Sequence, residues 1–194
     1  MSIDLPGFAD PVLEAQSTFR AILTAMSRPG TLHRVGTRLT PPAPLAPAAA
    51  AALLTLADAD TLVHLDPGLA PAHDWIGFHC GSLITSILTE ADFVVARDCP
   101  DLRLLADGSD DGPEAGATLI LQIESLDHGP ALCFTGPGIE ATAIIRATGL
   151  PDDFAERWAR NHALFPRGVD IILCAGDRLA CLPRSVQIHP GKEG

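Results

Sequence analysis

Phe93–Ala96 (FVVA) and Val169–Cys174 (VDIILC) are short runs dominated by apolar residues and closed off by turn-forming neighbours. Runs of this length and composition read as buried strands, because a helix needs roughly 10–12 residues and a periodic polar face. Ala117–Leu126 is the longest strand candidate, and Ala131–Thr135 is expected to pair with it across Asp127–Pro130, a four-residue hairpin connection. Thr31–Val35, Thr61–Leu65, Arg178–Cys181 and Ser185–Ile188 supply further short strands.

Helical stretches alternate with these strands. Asp10-Pro11 opens the first: the carboxylate caps free amides and proline fits the first turn. Val12, Ala15, Phe19, Ile22, Leu23 and Met26 then recur at spacings of three and four, an apolar stripe that Arg28-Pro29-Gly30 stops. Ala48–Ala57 reads as an alanine-rich helix, Ser82–Leu88 and Cys99–Leu105 as short ones, and Pro151–Leu164 as an amphipathic one. Asp74–Cys80 is aromatic-rich and undecided. Alternating strands and helices with one hairpin predict an α/β fold with a mixed sheet. No repeat or linker divides the 194 residues, so one domain over 1–194 is expected.

The charge is −11, which excludes a nucleic-acid binder relying on cations to neutralise phosphates. Its distribution is uneven: residues 41–140 hold only Arg97 and Arg103 against fifteen acids, so an anion pocket is expected from the arginine-richer ends. A solvated acidic middle with scattered surface arginines fits the same counts. Twelve of the thirteen cations are arginine, and Lys192 is the only lysine. A P-loop is therefore excluded, and a Schiff base on a tail lysine is not expected. No basic leader or long apolar segment stands at the start, and Leu45–Leu56 is too short to cross a bilayer, so a cytoplasmic protein without membrane contact is expected.

The five cysteines show no paired metal or redox spacing, and Cys80, Cys133, Cys174 and Cys181 read as small core residues. His73, Asp74, His79 and Cys80 lie close together but match no common metal pattern, so no metal is expected and His79 remains a ligand or interface candidate. Three segments stand out beyond these. Phe134–Ile139 (FTGPGI) leaves the amides around Thr135, Gly136 and Gly138 free to hold an anion, or simply carries the chain out of a strand. Phe165–Asp170 (FPRGVD) sets Arg167 on a turn, where it either clamps an anion or pairs locally with Asp170. Arg28 ends a helix, where the dipole alone favours a cation.

Phe8–Gly30, ADFVVA at 91–96, FTGPGI at 134–139, GLP at 149–151, WARNHALFPRGVD at 158–170 and the closing LPR at 182–184 together resemble the PhnH family. The resemblance covers nearly the whole chain in order. It adds Asn161 and Arg184 to the ligand or interface candidates. It implies a three-layer α/β homodimer resembling the large domain of pyridoxal-phosphate-dependent transferases, without the cofactor. It also implies assembly with the G, I and J subunits of the bacterial carbon–phosphorus lyase complex, in support of ribose 1-phosphonate 5-triphosphate synthesis from ATP and a phosphonate. The subunit's own part is accessory on this reading, and no catalytic residue is assigned to it. A stand-alone phosphonate- or nucleotide-binding protein with an arginine-lined pocket is the alternative.

Overall fold

The computed structural model describes residues 4–190. Seven strands form one sheet in the order β1-β9-β8-β5-β4-β2-β3. They are β1 (His33–Arg34), β2 (Leu62–Leu65), β3 (Leu83–Thr85), β4 (Phe93–Ala96), β5 (Thr118–Gln122), β8 (Asp170–Ala175) and β9 (Arg178–Leu182). Strand β9 runs against both of its neighbours, and every other pairing in the sheet is parallel. The side-chain period of two sorts the central strands between two cores. Val95, Ile120 and Ile172 face α1 (Pro11–Ser27), α2 (Pro47–Leu56) and α3 (His73–Cys80). Val94, Leu119, Leu121 and Ile171 face the other way, towards α4 (Phe154–His162) and a second sheet. That sheet has the order β10-β6-β7, from β6 (Ala131–Thr135), β7 (Ala143–Arg146) and β10 (Gln187–Pro190). Burial on both faces is why these runs are apolar throughout instead of alternating.

Three expectations fail, each for a tertiary reason. Strand β6 does not pair with β5, because both edges of β5 are taken by β4 and β8; β6 pairs with β7 and β10 instead. Residues 82–88 are not helical: Leu83–Thr85 add a parallel edge strand to β2, and β-branched Ile84 and Thr85 suit that site. The segment 99–105 holds only a 3₁₀ turn at Leu102–Leu104, capped by the Asp101 side chain. The undecided 74–80 stretch is α3, closed by Gly81 in the left-handed conformation.

The stripe on α1 is only partly core. Its buried residues are Thr18, Ile22 and Ala25, while Val12, Phe19 and Leu23 are 77%, 49% and 57% exposed. The cause lies in α2, where Ala48–Ala52 are fully buried. A helix surface of methyl groups lets α1 approach closely through its own small residues, and the larger side chains turn outward.

Candidate functional site

Four of the residues singled out from sequence meet at the end of the sheet where β5 and β8 begin. Asn161, on the last turn of α4, is buried, and its amide makes two hydrogen bonds to the Val169 backbone. This fixes the turn into β8, and Gly168 (φ +121°) lies against the Asn161 side chain where a Cβ would be crowded. Asp170 does not pair with Arg167. Its carboxylate is held by Arg184, whose Nη2 lies 2.7 Å from Oδ2 and whose backbone N–H donates to Oδ1 at 2.7 Å. Arg184 also donates from Nη1 to the Pro113 carbonyl at 2.6 Å, tying the glycine- and acid-rich segment 107–113 to the start of β8. Arg167 reaches Asp107 at 3.3 Å and Asp110 at 3.1 Å, although its buried Nε makes no hydrogen bond.

The other candidates fall elsewhere. A Cβ at Gly138 (φ +80°) would collide with the Ser27 carbonyl at the end of α1, so the 134–139 turn and the helix stop at Arg28 are packed together. Arg28 is exposed, with its backbone N–H donating to the Thr24 carbonyl. Gly136 is exposed and adopts φ +139°. The Thr135 hydroxyl lies 2.8 Å from His189 Nε2. His79 packs at a tilt against Trp75 and donates from Nε2 to the Leu5 carbonyl at 3.1 Å, a role in holding the N-terminal segment.

Cysteine chemistry is suppressed. Only Cys174 and Cys181 are fully buried; Cys80 and Cys99 are half-buried against the cores, and Cys133 is half-buried outside them, which corrects its core reading. Burial pushes the Cys80 thiol up to about 12 and raises Cys174 and Cys181 well above the ordinary thiol value. Cys99 is pushed up to about 11 by burial, offset in part by the Arg157 guanidinium. None of these four is a thiolate nucleophile at neutral pH.

Among the described residues, two cavities have the volume of a ligand site. A crevice of about 710 Å³ opens beyond the carboxyl ends of β4 and β5, a position where open α/β sheets commonly bind ligands. Arg97 and Asp98 follow β4, Gln122 ends β5, and Glu124 faces Gly149 and Pro151 of the GLP turn. The nearly buried Gln122 amide accepts from Ala46 N–H and donates to the Pro44 carbonyl, so it shapes the wall rather than waiting for a ligand. A second cavity of about 320 Å³ lies between α4 and residues 101–107, lined by Arg103, Arg157 and Arg160 with Asp101, Asp107 and Leu164. Arg103 holds the Asp101 carboxyl down at about 2. Of the second set, sequence reading had named only Asn161; it had singled out none of the charged residues of either cavity as site candidates. Polar residues directly after apolar strands could have marked the first, whereas nothing local joins residue 103 to α4.

Eight of the twelve arginines are ion-paired to carboxylates among the described residues. The uneven charge therefore resolves mostly into ion pairs, and the larger crevice takes its single arginine from the acidic middle of the chain.

The chain is 42% identical over 187 residues to the alpha-D-ribose 1-methylphosphonate 5-triphosphate synthase subunit PhnH of Rhizobium meliloti (strain 1021), covering 94% of each. It is 34% identical over 178 residues, 90% of this chain and 85% of the relative, to a Stutzerimonas stutzeri protein provisionally named as C-P lyase subunit HtxG. Residues 6–189 match the sequence model described as bacterial phosphonate metabolism protein (PhnH), and the chain belongs to the PhnH family.

Proposed function

We propose that this protein is a subunit of a bacterial carbon–phosphorus lyase complex. In that complex it supports transfer of a phosphonate onto the ribose triphosphate of ATP without itself carrying the catalytic groups. The observation that carries this reading is the near full-length similarity to a named synthase subunit. The chemistry of the side chains supports the accessory part: four of the five thiols have raised pKa values, and most arginines are committed to carboxylates.

Assembly as a homodimer and with the G, I and J types of subunit belongs to the same reading, as does a cytoplasmic location beside the ATP supply. The open Val12–Phe19–Leu23 face of α1 supports association, since apolar surface of that kind is usually covered. The order of the seven-stranded sheet, with β9 alone reversed, supports kinship with the large domain of pyridoxal-phosphate transferases. No aldimine is expected, because the chain offers a single lysine side chain, Lys192, and no other side-chain amine to form one.

Reconstitution tests the proposal. ATP and methylphosphonate should yield adenine only when the chain is combined with its partner subunits, and omitting it should abolish the product. Turnover by the chain alone would overturn the accessory role, and failure to co-purify with those subunits would overturn membership of the complex. Sedimentation at micromolar concentration should give a dimer.

A further inference from the structure

We propose that the crevice beyond the carboxyl ends of β4 and β5 binds a basic α-amino acid, its carboxylate on Arg97 and its two cationic groups on Asp98 and Glu124.

The charges lining this crevice are unspent. Arg97, Asp98 and Glu124 make no ion pair among the described residues, and all three are exposed. One cation against two anions complements a molecule that carries one anion and two cations. A basic α-amino acid is the simplest such molecule. A neutral amino acid leaves one carboxylate without a partner, and a diamine sets a cation against Arg97. A plain anion meets two carboxylates and is repelled.

Backbone contacts fix where these side chains start. The Asp66 carboxylate accepts the Arg97 N–H at 3.4 Å and the Gly68 N–H at 2.7 Å, which ties the loops after β2 and β4 together. The Glu124 N–H donates to the Thr148 carbonyl at 2.9 Å. Gly149 (φ +98°) lies so close that a Cβ there would stand 3.3 Å from Glu124 Cγ. Both backbones are therefore set while the guanidinium and the carboxylate stay available, which lowers the ordering cost of binding.

The position in the sheet supports the same reading. Strand β3 lies on one side of β2, and β4, β5 and β8 lie on the other, so the order of the parallel strands reverses between β2 and β4. Open α/β sheets bind small molecules beyond the carboxyl ends of their strands at such a switch point, and Arg97 follows β4 directly. The walls suit an aliphatic stem, since Ile123, Leu150 and Pro151 are half-buried beside the charged groups. A volume of about 710 Å³ falls within the range of small-molecule sites and holds an amino acid with water around it.

The test is calorimetric titration of the full chain with L-lysine, L-norleucine and cadaverine at low ionic strength. Norleucine keeps the α-amino acid and loses the side-chain ammonium, whereas cadaverine keeps two ammonium groups and loses the carboxylate. Lysine should bind, and each of the other two should bind about tenfold or more weakly, the usual loss for a charge-assisted hydrogen bond. Arg97→Ala should abolish the preference for lysine over cadaverine. Asp98→Asn and Glu124→Gln should each weaken lysine by a similar factor, with unchanged thermal melts because the positions are exposed. Arg20→Ala on α1 should change nothing. Equal affinity for norleucine would overturn the basic amino acid as ligand, and equal affinity for cadaverine would overturn the role of Arg97. Lysine binding that survives all three crevice variants would lie elsewhere and overturn the site, as would no binding by the folded chain in the millimolar range. None of these outcomes bears on the subunit reading, which co-purification tests separately.

Discussion

The Asn161 side chain grips both backbone polar groups of Val169, donating from Nδ2 to its carbonyl at 2.9 Å and accepting its N–H on Oδ1 at 2.8 Å. Both partners are buried, so the amide does for this turn what a paired strand does elsewhere. Asn161→Ala strands a donor and an acceptor and should cost roughly 2–4 kcal/mol, lowering the melting temperature by about 5–15 °C. A thermal melt checks this. A change under 2 °C would mean that the turn holds without the clamp.

The Asp170–Arg184 pair is the more protected ion pair, with side chains 23% and 13% exposed against 36% for Arg167. Removing Arg184 leaves Asp170 half-buried and unpaired, so Arg184→Ala should cost about 2–4 kcal/mol in urea unfolding, just below the range for fully buried pairs. Arg167→Ala should cost about 1 kcal/mol or less. Double-mutant cycles should show coupling between 170 and 184 and between 107 and 167, and none between 167 and 170.

Alkaline pH should destabilise the protein through its thiols. Cys80 and Cys99 keep their protons in the fold up to about 12 and about 11, whereas an unfolded thiol loses its proton near 9. Above that point the unfolded chain binds fewer protons than the folded one, so stability falls as pH rises from about 9 towards the folded values. Below 9 both states are protonated and the thiols contribute no slope. Cys80→Ala should flatten part of the decline between pH 9 and 11, as read from urea midpoints. An unchanged slope would show that other groups dominate.

Helix α2 should not tolerate larger side chains. Ala51 is fully buried, and a Cβ at Gly36 would already lie 3.1 Å from its methyl group. Ala51→Leu should destabilise by about 1–3 kcal/mol through overpacking. Denaturant titration checks it, and Ala51→Gly should cost only about 1 kcal/mol from helix propensity plus the small void it leaves.

Local chemistry was legible in the residues themselves. The Asp10-Pro11 start of α1 and its stop at Arg28 follow from capping and backbone geometry that need no distant partner. The apolar runs at β4, β5 and β8 carry their own burial in their composition. The family motifs likewise identify the chain without reference to its shape.

Tertiary structure decided what those elements touch. Strand β6 had the composition to pair with β5, yet both edges of β5 were already occupied, so it founded a second sheet. The α1 stripe was visible as a period, but the alanine surface of α2 decided which side of it would be buried. Arg167 found its partners about sixty residues earlier, at Asp107, rather than three residues later at Asp170. The arginine cavity likewise joins residues 101–107 to a helix some fifty residues further along the chain. Hydrogen-bond caps and side-chain periods act over a few residues. Edge occupancy and close packing arise only once distant segments compete for the same surface.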